Sequence, residues 1–247
     1  ENNISIYNYG SGSLNATFRD SANDQAVVGS QGVDLGGGVH TGNDGILIES
    51  AGTSAFNLTV LVDGVTFTAA RGDFVQTAAG GNTIQNVTVQ NNTFHNTHVN
   101  VTSGGGGMTI SGGGNTSDYT LNYNISNNSF RGAEGSAIVV STGGQSADIS
   151  GVIANNTIGV NDANRPEAST VQATTGASDN GNGIHIQHEK FYGTGTLNHA
   201  VRIEGNTTTD ATGSGIYLRS NNQPIDGAAL GTPRAEATIR NNIIEEV

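Results

Sequence analysis

The sequence predicts an all-β fold, a parallel β-helix (solenoid) of about seven coils, and three observations carry that prediction. One phrase recurs along the chain: alternating apolar residues, a polar residue, Asn-Asn, one more residue, then a bulky apolar one. Apolar residues fall at every second position in short runs, the period of a strand with one face inward. Gly and Asn punctuate those runs, and no long stretch shows the 3.6-residue spacing of a helix.

The elements follow in order. Full copies of the phrase end at Phe94 (Val87-Thr88-Val89-Gln90-Asn91-Asn92-Thr93-Phe94), at Phe130 after Asn127-Asn128, at Ile158 after Asn155-Asn156, and at Ile244 after Asn241-Asn242. Weaker copies run over Val60 to Phe67 and Val201 to Thr207, with Gly64 and Gly205 standing in for an asparagine. After each phrase comes a Gly-flanked run: Ile46-Leu47-Ile48, Phe74-Val75, Val99-Asn100-Val101, Ile138-Val139-Val140, Ile184-His185-Ile186 and Ile216-Tyr217-Leu218. Each coil thus reads as one strand ending at an Asn turn and a second starting near glycines. The spacing between coils varies, as it does when loops are inserted into a constant repeat. The segments 103–117 and 161–182, rich in Gly, Thr, Ser and Asn, are predicted as surface insertions in a single domain spanning 1–247.

The asparagines read as scaffold. Asn tolerates the left-handed conformation that a sharp corner between parallel strands requires. Coils stacked ~4.8 Å apart bring equivalent side-chain amides into hydrogen-bonding range. The predicted ladder comprises Asn91, Asn92, Asn127, Asn128, Asn155, Asn156, Asn206, Asn241 and Asn242, and the predicted core column comprises Phe67, Phe94, Phe130 and Ile158. The phrase resembles the right-handed parallel β-helix repeat of the pectate-lyase-like superfamily and of bacterial surface and autotransporter-type passengers. The resemblance rests on the Asn-Asn-x-Phe/Ile phrases and the Gly-flanked Ile runs beginning at 181 and 213, from about Leu14 to Val247. It implies a right-handed coil and leaves function open, because that fold carries lyases, hydrolases, adhesins and fibres alike.

Composition narrows the function classes. A net charge of −12 works against nucleic acid and anionic membrane surfaces as partners. With no cysteine there is no disulfide framework, which is compatible with a secreted bacterial chain. No run approaches the ~20 apolar residues of a membrane span. An extracellular or bacterial cell-surface location is expected, with carbohydrate or another surface molecule as a ligand.

Four chemical readings compete with the structural one. Asp179, His185, His188 and Glu189 form the richest polar cluster, from which an acidic groove could perform acid–base work on a sugar. His185 and His188 fall on opposite faces of a strand and make a poor metal pair. The resemblance would bring stacked aspartates for calcium and a basic residue over the sugar, yet the arginines stand apart from clustered Asp, and Trp is absent. Asp34, Asp44, Asp63, Asp118, Asp162 and Asp210 suit Ca²⁺ in residue type, but no calcium-binding spacing links them, so turn formation is the favoured reading. Sequons at Asn15, Asn57, Asn86, Asn91 and Asn206 follow from composition. Thr-rich pieces do not recur in register, which argues against an ice-binding face.

No catalytic residue, metal or cofactor is therefore assigned. Glu1-Asn2-Asn3-Ile4 reads as the same corner as Arg240-Asn241-Asn242-Ile243, and neither terminus shows an amphipathic capping helix. Open, stackable ends are expected, with Asn2, Asn3, Ile4, Ile243 and Ile244 in end-to-end contact, in a copy-to-copy stack or a longer chain.

Overall fold

The computed structural model describes residues 3–8, 10–20, 27–29, 44–50, 56–70, 72–96, 107–112, 118–133, 135–144, 146–159, 181–191, 196–209, 211, 213–220 and 232–245. Its 21 strands form three parallel sheets of seven, wound as a right-handed β-helix. The first sheet contains β1 (Ile4–Asn8), β4 (Ile46–Ser50), β7 (Val75–Ala79), β10 (Met108–Gly112), β13 (Ile138–Gly144), β16 (Ile184–Phe191) and β19 (Ile216–Ser220). The second contains β2 (Gly12–Arg19), β5 (Phe56–Asp63), β8 (Thr83–Gln90), β11 (Asp118–Ser126), β14 (Ser146–Ala154), β17 (Thr196–Glu204) and β20 (Thr232–Arg240). The third holds short strands: β3 (Val27–Gly29), β6 (Thr66–Ala69), β9 (Thr93–His95), β12 (Ser129–Arg131), β15 (Thr157–Ile158), β18 (Thr207–Thr209) and β21 (Ile243–Glu245).

Alternation along the long strands explains the core. In β5, Phe56, Leu58, Val60 and Val62 are buried while Asn57 and Thr59 are exposed, because successive side chains leave opposite faces. The third sheet is the piece that two strands per coil had left out, and it carries the bulky residue of each phrase. Phe67, Phe94 and Phe130 stack there with ring centroids 4.7 and 4.5 Å apart, and Ile158, in register with Phe130, continues the buried column. Stacked aromatic pairs add ~0.5–1.5 kcal/mol each beyond the apolar area they remove from water.

Three expectations need correction. The segment 103–117 is not wholly an insertion, since β10 lies within it and pairs with β7 and β13. That strand, rather than Val99 to Val101, supplies the first-sheet element of its coil; residues 97–106 lie outside the described residues. Gly181 and Asn182, at the end of the other predicted insertion (161–182), are buried coil residues, while 160–180 lie outside the described residues. Finally, the two ends are not in the same phase. Ile4 pairs with Ile46 in the first sheet, whereas Ile243 pairs with Thr207 in the third, so Ile4 corresponds to Ile216. The repeated dipeptide misled because Asn3 precedes a different corner, where its backbone N–H donates to the Asp44 carbonyl. Asn2 lies outside the described residues.

Candidate functional site

Each coil turns through three corners, and their polar side chains differ. At the corner between the second and third sheets the two members of each Asn pair divide the work. The first member, Asn91, Asn127, Asn155 or Asn241, sits at φ of 58°, 56°, 55° or 54°; Gly64 and Gly205 take this same position at 75° and 66°. The second member points inward. Asn92 Nδ2 donates to Asn128 Oδ1 at 2.9 Å, Asn128 to Asn156 at 3.0 Å, Asn156 to Asn206 at 2.9 Å, and Asn206 to Asn242 at 2.9 Å. Each Oδ1 also accepts a backbone N–H from a neighbouring coil, as Asn128 Oδ1 does from Asn92 at 3.0 Å. The ladder is therefore Asn92, Asn128, Asn156, Asn206 and Asn242. Asn91, Asn127, Asn155 and Asn241 stand exposed outside it.

The corner between the first and second sheets is built differently. Thr142, His188 and Ser220 occupy one inward column, and Ile149, His199 and Ala235 another. His188 and His199 are only 4% and 3% exposed, with Ile186 and Val201 beside them. Thr142 Oγ1 lies 2.6 Å from His188 Nδ1, His188 Nε2 faces His199 Nδ1, and His199 Nε2 lies 3.0 Å from the Tyr123 hydroxyl. Tyr123 reaches this partner two coils away because Gly151 lies between them. A Cβ at Gly151 would sit 1.9 Å from Tyr123 Cζ. One assignment of protons gives every member a partner: Tyr123 O–H donates to His199, His199 Nδ1–H to His188, His188 Nδ1–H to Thr142, and Thr142 O–H to the Gln187 carbonyl at 3.5 Å.

Burial dominates the electrostatics of this chain. It pushes His188 down to about 4, and His199 down to about 3 with help from the neighbouring His188. It also drives the phenols of Tyr119 and Tyr123 upward. All members are uncharged at neutral pH. A smaller chain of the same kind runs from Tyr119 through Gln85 to Thr77, at 2.9 and 2.8 Å. Beside the histidine pair lies a cavity of about 240 Å³, lined by Ile186, Val201, Leu218, Ala235 and Ala237 and rimmed by Arg219 and Glu236.

The third corner, entering the first sheet, carries Asp44 and Asp73 on adjacent coils. Asp44 Oδ1 accepts the backbone N–H of Asp73 at 2.9 Å, as Asn182 Oδ1 accepts that of Ser214 at 2.8 Å. Desolvation, with a smaller contribution from Asp44, raises the Asp73 carboxyl to about 7, against a lowering hydrogen bond from Thr109.

Of the cluster singled out from sequence, His185 and His188 leave opposite faces of β16, with His188 in the inward pair described above. His185 is buried on the outward side of the first sheet, edge-on to the Tyr217 ring at 4.9 Å. Asp179 and the side chain of Glu189 lie outside the described residues. Among the described residues no group of three His, Cys, Asp or Glu comes together, and no helix is long and apolar enough to cross a membrane. Of the arginines read as standing apart, Arg202 and Arg240 both pair with Glu204, at 3.0 and 2.5 Å, and Arg19 pairs with Asp63 at 3.5 Å.

Sequence reasoning missed His199, Tyr123 and Thr142. The signal was present: in Leu197-Asn198-His199-Ala200-Val201-Arg202-Ile203, strict alternation puts His199 on the side of Leu197 and Val201. Comparison with known proteins adds nothing to this picture, since no family model, curated protein or solved structure matches the chain.

Proposed function

We propose that this is a non-catalytic structural β-helix, a stalk, adhesin or filament element of an extracellular or bacterial cell-surface protein, stacking end to end with further coils. The resemblance of its repeat to that of bacterial surface and autotransporter-type passengers agrees with that role. The end face formed by β19, β20 and β21 carries the argument. Leu218, Ile239 and Ile244 continue the columns of Ile186, Ile203 and Thr208, and they are 40%, 49% and 44% exposed. Among the described residues these three strands pair on one side only, so apolar surface and unpaired backbone coincide. Such a face is complementary to further parallel strands, whether in a second copy or in the same polypeptide. Of the residues expected to make this contact, Ile244 points along the core column, while Ile243 continues the outward column of Thr207.

Light scattering and negative-stain electron microscopy of the purified chain test the reading. Concentration-dependent linear assemblies are expected, reverting to monomers in a Leu218→Lys/Ile244→Lys variant. A chain that stays monomeric at all concentrations and depolymerises a polysaccharide would overturn it. That second reading, a lyase or glycoside hydrolase, draws its support from the Asp44–Asp73 pair rather than from His185 and Glu189. It predicts cleavage that disappears in Asp73→Asn.

A further inference from the structure

The buried histidine pair serves neither the ladder nor the end face, and its chemistry differs from the rest of the core. We infer that Thr142, His188, His199 and Tyr123 form an acid-sensitive latch between the first and second sheets, so that mild acid loosens the coils from β16 to β20 while the preceding coils stay wound.

The geometry dictates the direction. Between the two rings only one proton fits, because His188 Nε2 and His199 Nδ1 face each other directly. With the protons arranged as above, the first added proton goes to His199 Nε2. It turns Tyr123 from donor to acceptor and leaves a cation inside an apolar core, which is costly unless paired. A second proton has no place, since two N–H groups would then point at one another.

The surroundings do not offset that charge. From β13 the pair meets Thr142, and from β14 it meets Ile149 and Gly151. From β11 the Tyr123 hydroxyl bonds to it, and the phenol of Tyr119 lies on the same inward face of that strand. At the rim of the cavity Arg219 from β19 and Glu236 from β20 carry opposite charges. His185 and Tyr217 lie on the outer face of the first sheet, and Arg202 and Glu204 on that of the second.

The linkage sign is fixed by both imidazoles lying below their ordinary 6.5 in the folded chain. Their contribution is complete above about 6.5 and is lost as pH falls toward about 4, because the unfolded chain binds protons first. Each group contributes up to ~10-fold per pH unit in that window. The loss is local because, apart from the reach of Tyr123 across Gly151, stacked coils contact their immediate neighbours. The inference stands whether or not the ends stack.

Hydrogen exchange followed by mass spectrometry at pH 7.2 and 5.0, corrected for intrinsic rates, tests this. Protection of β16, β17, β19 and β20 should fall at least ~10-fold while β5 and β8 hold. In His188→Thr/His199→Leu, which places in each column a residue type that column already carries (Thr142, Leu121), the pH dependence should vanish. Tyr123→Phe, which keeps the pair, should retain it. Equal protection of wild-type β16–β20 at both pH values would overturn the inference, as would an unchanged pH profile in the double variant. Should the double variant not fold, NMR titration of the wild-type imidazoles decides: both remaining neutral to pH 5 supports the latch, and either titrating near 6.5 refutes it.

Discussion

The two interior corners that flank the second sheet solve one problem in different ways. On one side, Asn92, Asn128, Asn156, Asn206 and Asn242 repeat one amide in successive coils, each bonded to the amide of an adjacent coil. On the other, the chains Thr77–Gln85–Tyr119 and Thr142–His188–His199–Tyr123 are each assembled from different residues. Repetition makes the first corner uniform and insensitive to pH, since an amide does not titrate. The second is specific to particular coils and depends on protonation state. Stability can thus be distributed evenly along a solenoid at one corner while local control is concentrated at another.

The largest expected effect breaks the uniform side. Asn128→Ala removes the acceptor of the Asn92 amides and the donor to the Val89 carbonyl and to Asn156, all within a buried corner. Unsatisfied buried groups cost ~1–3 kcal/mol each, so a loss of about 3–5 kcal/mol is expected in urea unfolding. A loss below ~1 kcal/mol would mean that water or a coil shift replaces the ladder.

Next comes the irregular side. Gly151→Ala places a methyl where the Tyr123 ring lies and must swing that ring away from His199. About 2–3 kcal/mol is expected, typical of overpacking combined with a broken buried hydrogen bond. Tyr123→Phe in the Gly151→Ala background should then cost less than in the wild type, because both changes sever the same link. Additive losses would show that Tyr123 and His199 are not coupled through this position.

The unequal legibility of the two corners follows from the same difference. Asn127-Asn128 announces itself because the corner imposes one chemistry on successive coils, and repetition is visible in a single sequence. Phe67, Phe94 and Phe130 were legible for the same reason. Nothing in Thr142, His188 or Tyr123 taken singly marks a buried chain, since the link joins residues 46 and 76 positions apart and needs a glycine between two of them. The inward parity of each residue could be read from its own strand, as in Ile184, Ile186 and His188 or Leu121, Tyr123 and Ile125, but not that the four meet. The phase error at Ile4 had the opposite origin, a repeated dipeptide weighed above the sheet to which its strand belongs.

The third corner sharpens the comparison by mixing both designs. Asp44 and Asn182 each hold a backbone N–H of the next coil, but the half-buried Asp73 carries a carboxyl raised to about 7. Because this acid lies above its ordinary value when folded, stability is full below about 4, declines as pH rises toward 7, and stays reduced above it. Asp73→Asn removes that loss. After discounting for solvent screening, a gain of about 1–2 kcal/mol at pH 8 is expected, with no gain at pH 4. Thermal unfolding of both proteins across that range provides the check, and an equal shift at both pH values would show that the carboxyl charge is not the cause.

The smallest effect separates backbone from side chain at the ladder corner itself. Asn155 holds the left-handed turn at φ 55° but lies outside the amide ladder, one residue before Asn156. If the position is selected for conformation, Asn155→Gly should change stability by only a few tenths of a kcal/mol, as Gly64 and Gly205 already suggest by occupying it. Asn155→Ala, which must adopt the same positive φ with a Cβ, should cost about 1 kcal/mol. Equal losses for the two substitutions would assign the position to its exposed side chain, and the turn geometry would no longer explain why asparagine is placed there.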